Sequence, residues 1–361
     1  MKSITILIGV FLITFSIYTT TYALDTYNVG YEYLCKAILH NGKLYFASTA
    51  NSLVCEYDII TQQVLRSWQT PDYFPSQIYI HPDGERLIVV LNKYLGLTTD
   101  GAIGVVNLTS GTITIHEYDN LPMLNIDFSP NGDYMYAVSG FGLTQQGKVV
   151  KIDCSSWLPT HEAEAGNYPL GITYVAIDSI FTSCTDSEPT FYTSEGGSFP
   201  GPPYYNKIKV YTDDPRLAFR YEFTVPDGLN YVKDIGGSML CSFHLPFDQE
   251  GPVICIIDSL NGLVLDELEV SGIAGVLDAA YSPVTGKIYA TVVVDAGNYD
   301  PETEVPELAY CGHLLVYDPI TCNYNLYEDY FDSQVSMINL CEGLLVVNSI
   351  NSSKLYIETP F

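Results

Sequence analysis

The chain has 361 residues, with 42 acidic side chains against 15 basic ones and a formal charge of −27. With no cluster of Lys or Arg, that balance excludes a nucleic-acid partner, since phosphate neutralisation needs a basic patch, and it disfavours anionic membranes and polyanionic substrates. Thirty Tyr, 15 Phe, 28 Gly and 20 Pro, without a long apolar stripe at helical spacing, point to an all-β chain rich in tight turns.

Residues 1–23 read as a secretory signal: Lys2 supplies the positive start, Ile4 to Tyr18 form an apolar stretch of 15 residues, and Thr21-Tyr22-Ala23 ends it at a small residue. The stretch is marginal for spanning about 30 Å of hydrocarbon, and nothing later in the chain is apolar enough to span it. The mature protein is therefore expected to be residues 24–361, without a transmembrane segment, and secreted, periplasmic or at the cell surface. Closed all-β folds of this length run as one domain. Leu24 to Val29 follow directly and read as a strand with no unit of its own.

Further on, HPDGERLIVVLN at 81–92 and SPNGDYMYAVSG at 129–140 say nearly the same thing 48 residues apart, and Pro75, Pro122 and Pro169 recur at intervals of 47. Each turn is followed by an apolar run, then Gly, then a third run ending in an acid or amide, then a more polar fourth run. That is four short strands joined by tight turns, with the period of a propeller blade. The third-run endings Asp58, Asn107, Asp153, Asp213, Asp258, Asp318 and Glu358 mark seven units. The last unit stops at Phe361 without a fourth strand. Leu24 to Val29 can supply it beside Lys354 to Glu358, which closes the ring and removes open edges.

The pattern of Pro-x-x-Ile before a Ser-Pro-Asn-Gly or His-Pro-Asp-Gly turn, a Val-rich strand, then Gly and Val-x-Asp resembles the YVTN-type repeat of seven-bladed β-propellers, most strongly over residues 75–172. Val89-Val90-Leu91-Asn92 and Val346-Val347-Asn348 stand where that family carries its naming tetrapeptide. The resemblance implies a propeller of exported surface proteins, with related propellers among lactonases and subunits of periplasmic redox enzymes. Fold alone does not decide between these.

Two places could carry function. The innermost strands hold charges unsuited to a dry sheet, namely Lys36, Asp127, Lys233, Asp234 and Asp278, each of which needs water or a partner. Asp127 and Asp278 could hold a small polar ligand or a cation in the axial channel. The second place is the face bearing the second-to-third strand loops. Residues 184–206 carry five aromatics and three acids, and residues 295–310 carry five acids, without a base in either. Long loops on a rigid scaffold are common sites of binding, and Tyr204, Tyr205, Tyr299 and Asp300 are the expected contact residues for a protein or carbohydrate partner. Asp295, Asp300, Glu302 and Glu304 could ligate calcium, although their spacing matches no EF-hand loop. No other metal or cofactor is expected: the six His are scattered and there is no Cys-x-x-Cys. No Gly-x-Ser-x-Gly elbow or phosphate-cradling loop appears.

These features favour a secreted or surface-associated binding or scaffold module over an enzyme. The alternative is a lactonase-like hydrolase or a redox-enzyme subunit acting in the channel. Three or more polar side chains converging in one channel mouth would favour that alternative. Of the nine Cys, Cys241 and Cys255 fall in paired strands of the fifth unit and are the expected disulfide. Cys55, facing Phe46, is expected as a buried free thiol. Asn107-Leu-Thr and Asn351-Ser-Ser match the glycosylation motif.

Overall fold

The computed structural model describes residues 24–95, 98–140, 147–166, 169, 171–175, 179–185, 189–191, 198–200, 206–213, 216–225, 230–244, 252–299, 306–350 and 352–361. They form seven four-stranded antiparallel sheets and one further two-stranded sheet. The seven sheets are the blades of a β-propeller. Blade 1 runs Leu34–His40, Lys43–Ser48, Leu53–Asp58 and Gln63–Gln69 from channel to rim. The innermost strands of blades 2 to 7 are Phe74–Ile80, Met123–Phe128, Ile172–Val175, Asn230–Gly236, Ile273–Ser282 and Val335–Cys341. No helix among the described residues is long and apolar enough to cross a membrane.

Seven apolar clusters hold the disc together, one in each gap between neighbouring blades. A second or third strand is covered on both faces by the blades beside it, so it reads as an unbroken apolar run; Leu87 to Leu91 are fully buried. A fourth strand faces solvent at the rim and alternates, as Phe219–Thr224 does. The recurring acid or amide at the end of the third strand has a local cause. Its side-chain oxygen accepts N–H groups two and three residues on, folding the chain into the fourth strand: Asp58 takes Ile60 and Thr61 at 2.8 and 3.1 Å, and Asp153 takes Ser155 and Ser156 at 2.8 and 3.0 Å. The recurring Gly within the third strand is equally constrained. A Cβ on Gly101, Gly147 or Gly312 would meet a backbone carbonyl oxygen at 2.0, 2.3 or 2.1 Å, from Leu121, Gly166 and Phe331 respectively.

The ring closes as the strand count requires. Asp25–Asn28 is the outermost strand of blade 7, with Asp25 opposite Ile357 and Asn28 opposite Lys354. The blade is thus built from the first and last of the described residues, and Val29 extends the join by donating to the Ser353 carbonyl at 2.8 Å. The disulfide expected between Cys241 and Cys255 is not formed. Cys241 lies opposite Ile256 and Cys255 opposite Ser242, one residue out of step. Alternate residues of a strand face opposite sides of the sheet, so Cys241 enters the gap between blades 5 and 6 and Cys255 the gap between blades 4 and 5. Cys55 is opposite Phe46 and is a buried free thiol.

Candidate functional site: the axial channel

Strand order places every blade's first strand around the axis, so side chains at alternate positions of these strands face one shared space. A cavity of about 240 Å³ occupies it, lined by Lys36, Asp127, Lys233, Asp234 and Asp278 together with neutral groups. All five charges singled out from the sequence therefore meet at one place. The neutral polar lining, Gln77, Tyr79, Asn125, Thr173 and Tyr231, is not anticipated by a search for charges. It was nevertheless signalled by the polar pairs two residues apart, Gln77 with Tyr79, Asn125 with Asp127, and Tyr231 with Lys233, on strands that are otherwise apolar.

The polar groups link blade to blade around the whole ring. From blade 1 to blade 2, the Lys36 ammonium sits 3.8 Å from the centre of the Tyr79 ring. The Tyr79 hydroxyl lies 2.5 Å from the Asn125 amide oxygen of blade 3 and 2.6 Å from Gln77 of its own strand; its single hydrogen can serve only one of them. Asp127 accepts the Tyr174 N–H of blade 4 at 2.7 Å. Thr173 of blade 4 accepts the Asp234 N–H of blade 5 at 3.2 Å. Lys233 of blade 5 pairs with Asp278 of blade 6 at 2.6 Å. Asp278 accepts the Ile338 N–H of blade 7 at 3.2 Å, and Asn339 of blade 7 donates to the Ala37 carbonyl of blade 1 at 3.0 Å.

A second layer reinforces the first. Asn92 exchanges two hydrogen bonds with the Met123 backbone, at 2.8 and 3.0 Å, and Asn348 donates to the Leu34 carbonyl at 2.8 Å. These are the asparagines that close the Val-rich runs, and their work is to tie each second strand to the next blade.

Burial sets the charge states. It pushes the Asp127 carboxyl up to about 6 against the pull of the two N–H groups that it accepts. Burial, with the like charge of Lys233 next, pushes the Lys36 amine down to about 8. Burial also raises Asp234 and the Tyr231 phenol, the latter to about 12. Lys36 is only 8% exposed. Its ring contact contributes about 0.5–2 kcal/mol, less than the several kcal/mol that an ammonium loses on leaving water.

A cation held by Asp127 and Asp278 fits this geometry poorly, because their oxygens already accept backbone N–H groups and, in Asp278, the Lys233 ammonium. Of the loop candidates, Tyr204, Tyr205 and Asp300 lie outside the described residues. Tyr299 is described only as the end of a strand, opposite Pro306. The calcium candidates Glu302 and Glu304 lie outside as well, and Asp295 is described only by its backbone pairing with Leu308. What the structure adds is the length of the hairpins that carry these segments. In blade 6 the second and third strands, Lys287–Tyr299 and Pro306–Asp318, run 13 residues each. In blade 2 the corresponding strands, Arg86–Leu95 and Thr98–Asn107, run ten. The insertion of blade 4 adds the small sheet of Pro189–Phe191 and Ser198–Pro200. Asn107 is exposed, and its side-chain oxygen accepts the Ser110 N–H at 2.7 Å; Asn351 lies outside the described residues.

No family model matches the chain, and no curated protein matches it. Solved structures do. A chain of the mitotic checkpoint complex is similar at a TM-score of 0.66 with 10% identity, over 93% of this chain and 91% of that one. The Cps50 (Swd1) β-propeller domain of Myceliophteria thermophila is similar at 0.63 with 12% identity, over 94% of this chain and 100% of that one. At such identities the likeness establishes the propeller fold.

Proposed function

We propose that the protein is an exported, non-catalytic binding module: a rigid disc that holds a protein or carbohydrate partner against the face bearing its second-to-third strand hairpins. The observation that supports this reading is the ring of blade-to-blade contacts. Polar side chains do converge in the channel, which by itself favours a hydrolase or redox subunit acting there. Yet Asp127, Asp278, Lys233, Asn125 and Thr173 are engaged in joining blades, whereas a general acid or base must be able to reach a substrate proton. A locked hub and lengthened hairpins are the division of labour expected of a scaffold that presents loops. One of the two similar folds belongs to a multiprotein complex, in keeping with a protein partner.

The test is to probe residues 24–361 on a glycan array and by cross-linking to candidate surface proteins. Tyr204→Ala/Tyr205→Ala, and a variant with residues 296–309 replaced by a short turn, should each lose at least about 1 kcal/mol of binding. Binding that survives both changes but disappears in Asp127→Asn would move the site into the channel.

A further inference from the structure

The carboxylates Asp127 and Asp278 of the axial cavity are engaged through both oxygens, and two of its donors make no hydrogen bond among the described residues. Asp127 receives two backbone N–H groups, Asp278 two more and the Lys233 ammonium, and Asp234 the N–H of Gly236. By contrast, the Lys36 ammonium makes no hydrogen bond or ion pair among the described residues, and meets only the face of Tyr79. The Tyr231 hydroxyl, on a ring stacked against Phe243 at 5.4 Å, makes no hydrogen bond among the described residues either. A lysine that is 8% exposed, aimed into a cavity and without a hydrogen-bond acceptor, is the arrangement that a negatively charged guest completes.

We infer that the axial cavity binds a small monocarboxylate, with the Lys36 ammonium as its anchor and the Tyr231 hydroxyl as a second donor. A single negative charge fits better than a phosphate dianion, because Asp127, Asp234 and Asp278 also border the space. A cation would meet Asp127 and Asp278 with both oxygens already engaged. The site stands apart from the hairpin face and does not depend on what binds there. It requires no chemistry of the guest.

The probes are L-lactate and its neutral counterpart lactamide, titrated calorimetrically into residues 24–361. Lactate should bind, lactamide at least about tenfold more weakly, and Lys36→Met should weaken lactate by at least about tenfold, with Tyr231→Phe in between. Lactate affinity should also fall between pH 7 and 9 as the amine loses its proton at about 8. The other groups felt at Lys36 are Lys233, Asp278, Cys341 and Asp127. Asp127 is already ionised in that window, and burial holds the Cys341 thiol protonated to higher pH. Should Lys36→Met fail to fold, reductive 13C-methylation of the wild type provides a second reading, in which lactate and not lactamide should shift the Lys36 signal. Equal binding of the two probes, no binding of either, unchanged lactate binding by Lys36→Met, or an unmoved Lys36 signal would each overturn the assignment.

Discussion

Asp127 in blade 3 and Asp278 in blade 6 perform the same backbone task in different electrostatic settings. Each takes the N–H of the residue after it, Phe128 at 2.8 Å and Ala279 at 2.9 Å, with one oxygen. With the other, each takes an N–H from the next blade, Tyr174 or Ile338. The difference comes from the blade before. Blade 5 sends Lys233 to Asp278 at 2.6 Å, whereas blade 2 sends the neutral Tyr79 to Asn125, and among the described residues no cation is in contact with Asp127. Carboxylate geometry is thus enough to join two blades. Without a counter-ion in contact, burial pushes the Asp127 carboxyl up to about 6.

The largest test removes each carboxylate in turn. Asp278→Ala strands two N–H groups and leaves Lys233 with only the Ala279 carbonyl to meet. It should cost about 3–5 kcal/mol, visible as a fall in Tm of roughly 4–7 °C. Asp127→Ala strands two N–H groups and no cation, and should cost less, about 1–3 kcal/mol. Equal losses would mean that Lys233 adds nothing to the blade 5 to blade 6 step. Next in size is Lys233→Met, which should cost about 1–3 kcal/mol because the carboxylate keeps its N–H donors. Adding Asp278→Asn to it should recover part of that loss, giving a coupling of at least about 1 kcal/mol in a denaturation cycle.

Features that depend on counting or on local turns could be read from the sequence. The acids closing the third strands stand where an Asx turn is needed, and the seventh blade lacked a strand that Leu24 to Val29 could supply. Features that depend on registry could not. Cys241 and Cys255 are 14 residues apart across a hairpin, and their meeting depends on one residue of turn length, a parity that composition does not carry. The channel lay between these cases. Its charges showed against apolar strands, while Gln77, Tyr79 and Tyr231 passed for ordinary strand residues. Their shared destination is set by seven strands packed around one axis, a relation between blades rather than within any of them.

The smallest effect is the most specific to the comparison. Asp127→Asn keeps the side chain's shape and one acceptor oxygen, and removes the ionisation. In the folded protein the carboxyl binds its proton up to about pH 6, and in the unfolded chain only up to about 4. Between those values the folded state holds more protons, so stability falls as pH rises through the window and then levels off. The charged form is thus the less comfortable one in the fold, and the penalty, about 1–3 kcal/mol, is fully present above pH 6 and released as pH falls towards 4. Subtracting the Tm of Asp127→Asn from that of the wild type cancels the contributions of the other carboxylates. The difference should grow in favour of the wild type as pH drops from 6.5 to 4. A flat difference would show that Asp127 is as well solvated as an exposed aspartate, and that the contrast with Asp278 is one of partners but not of charge.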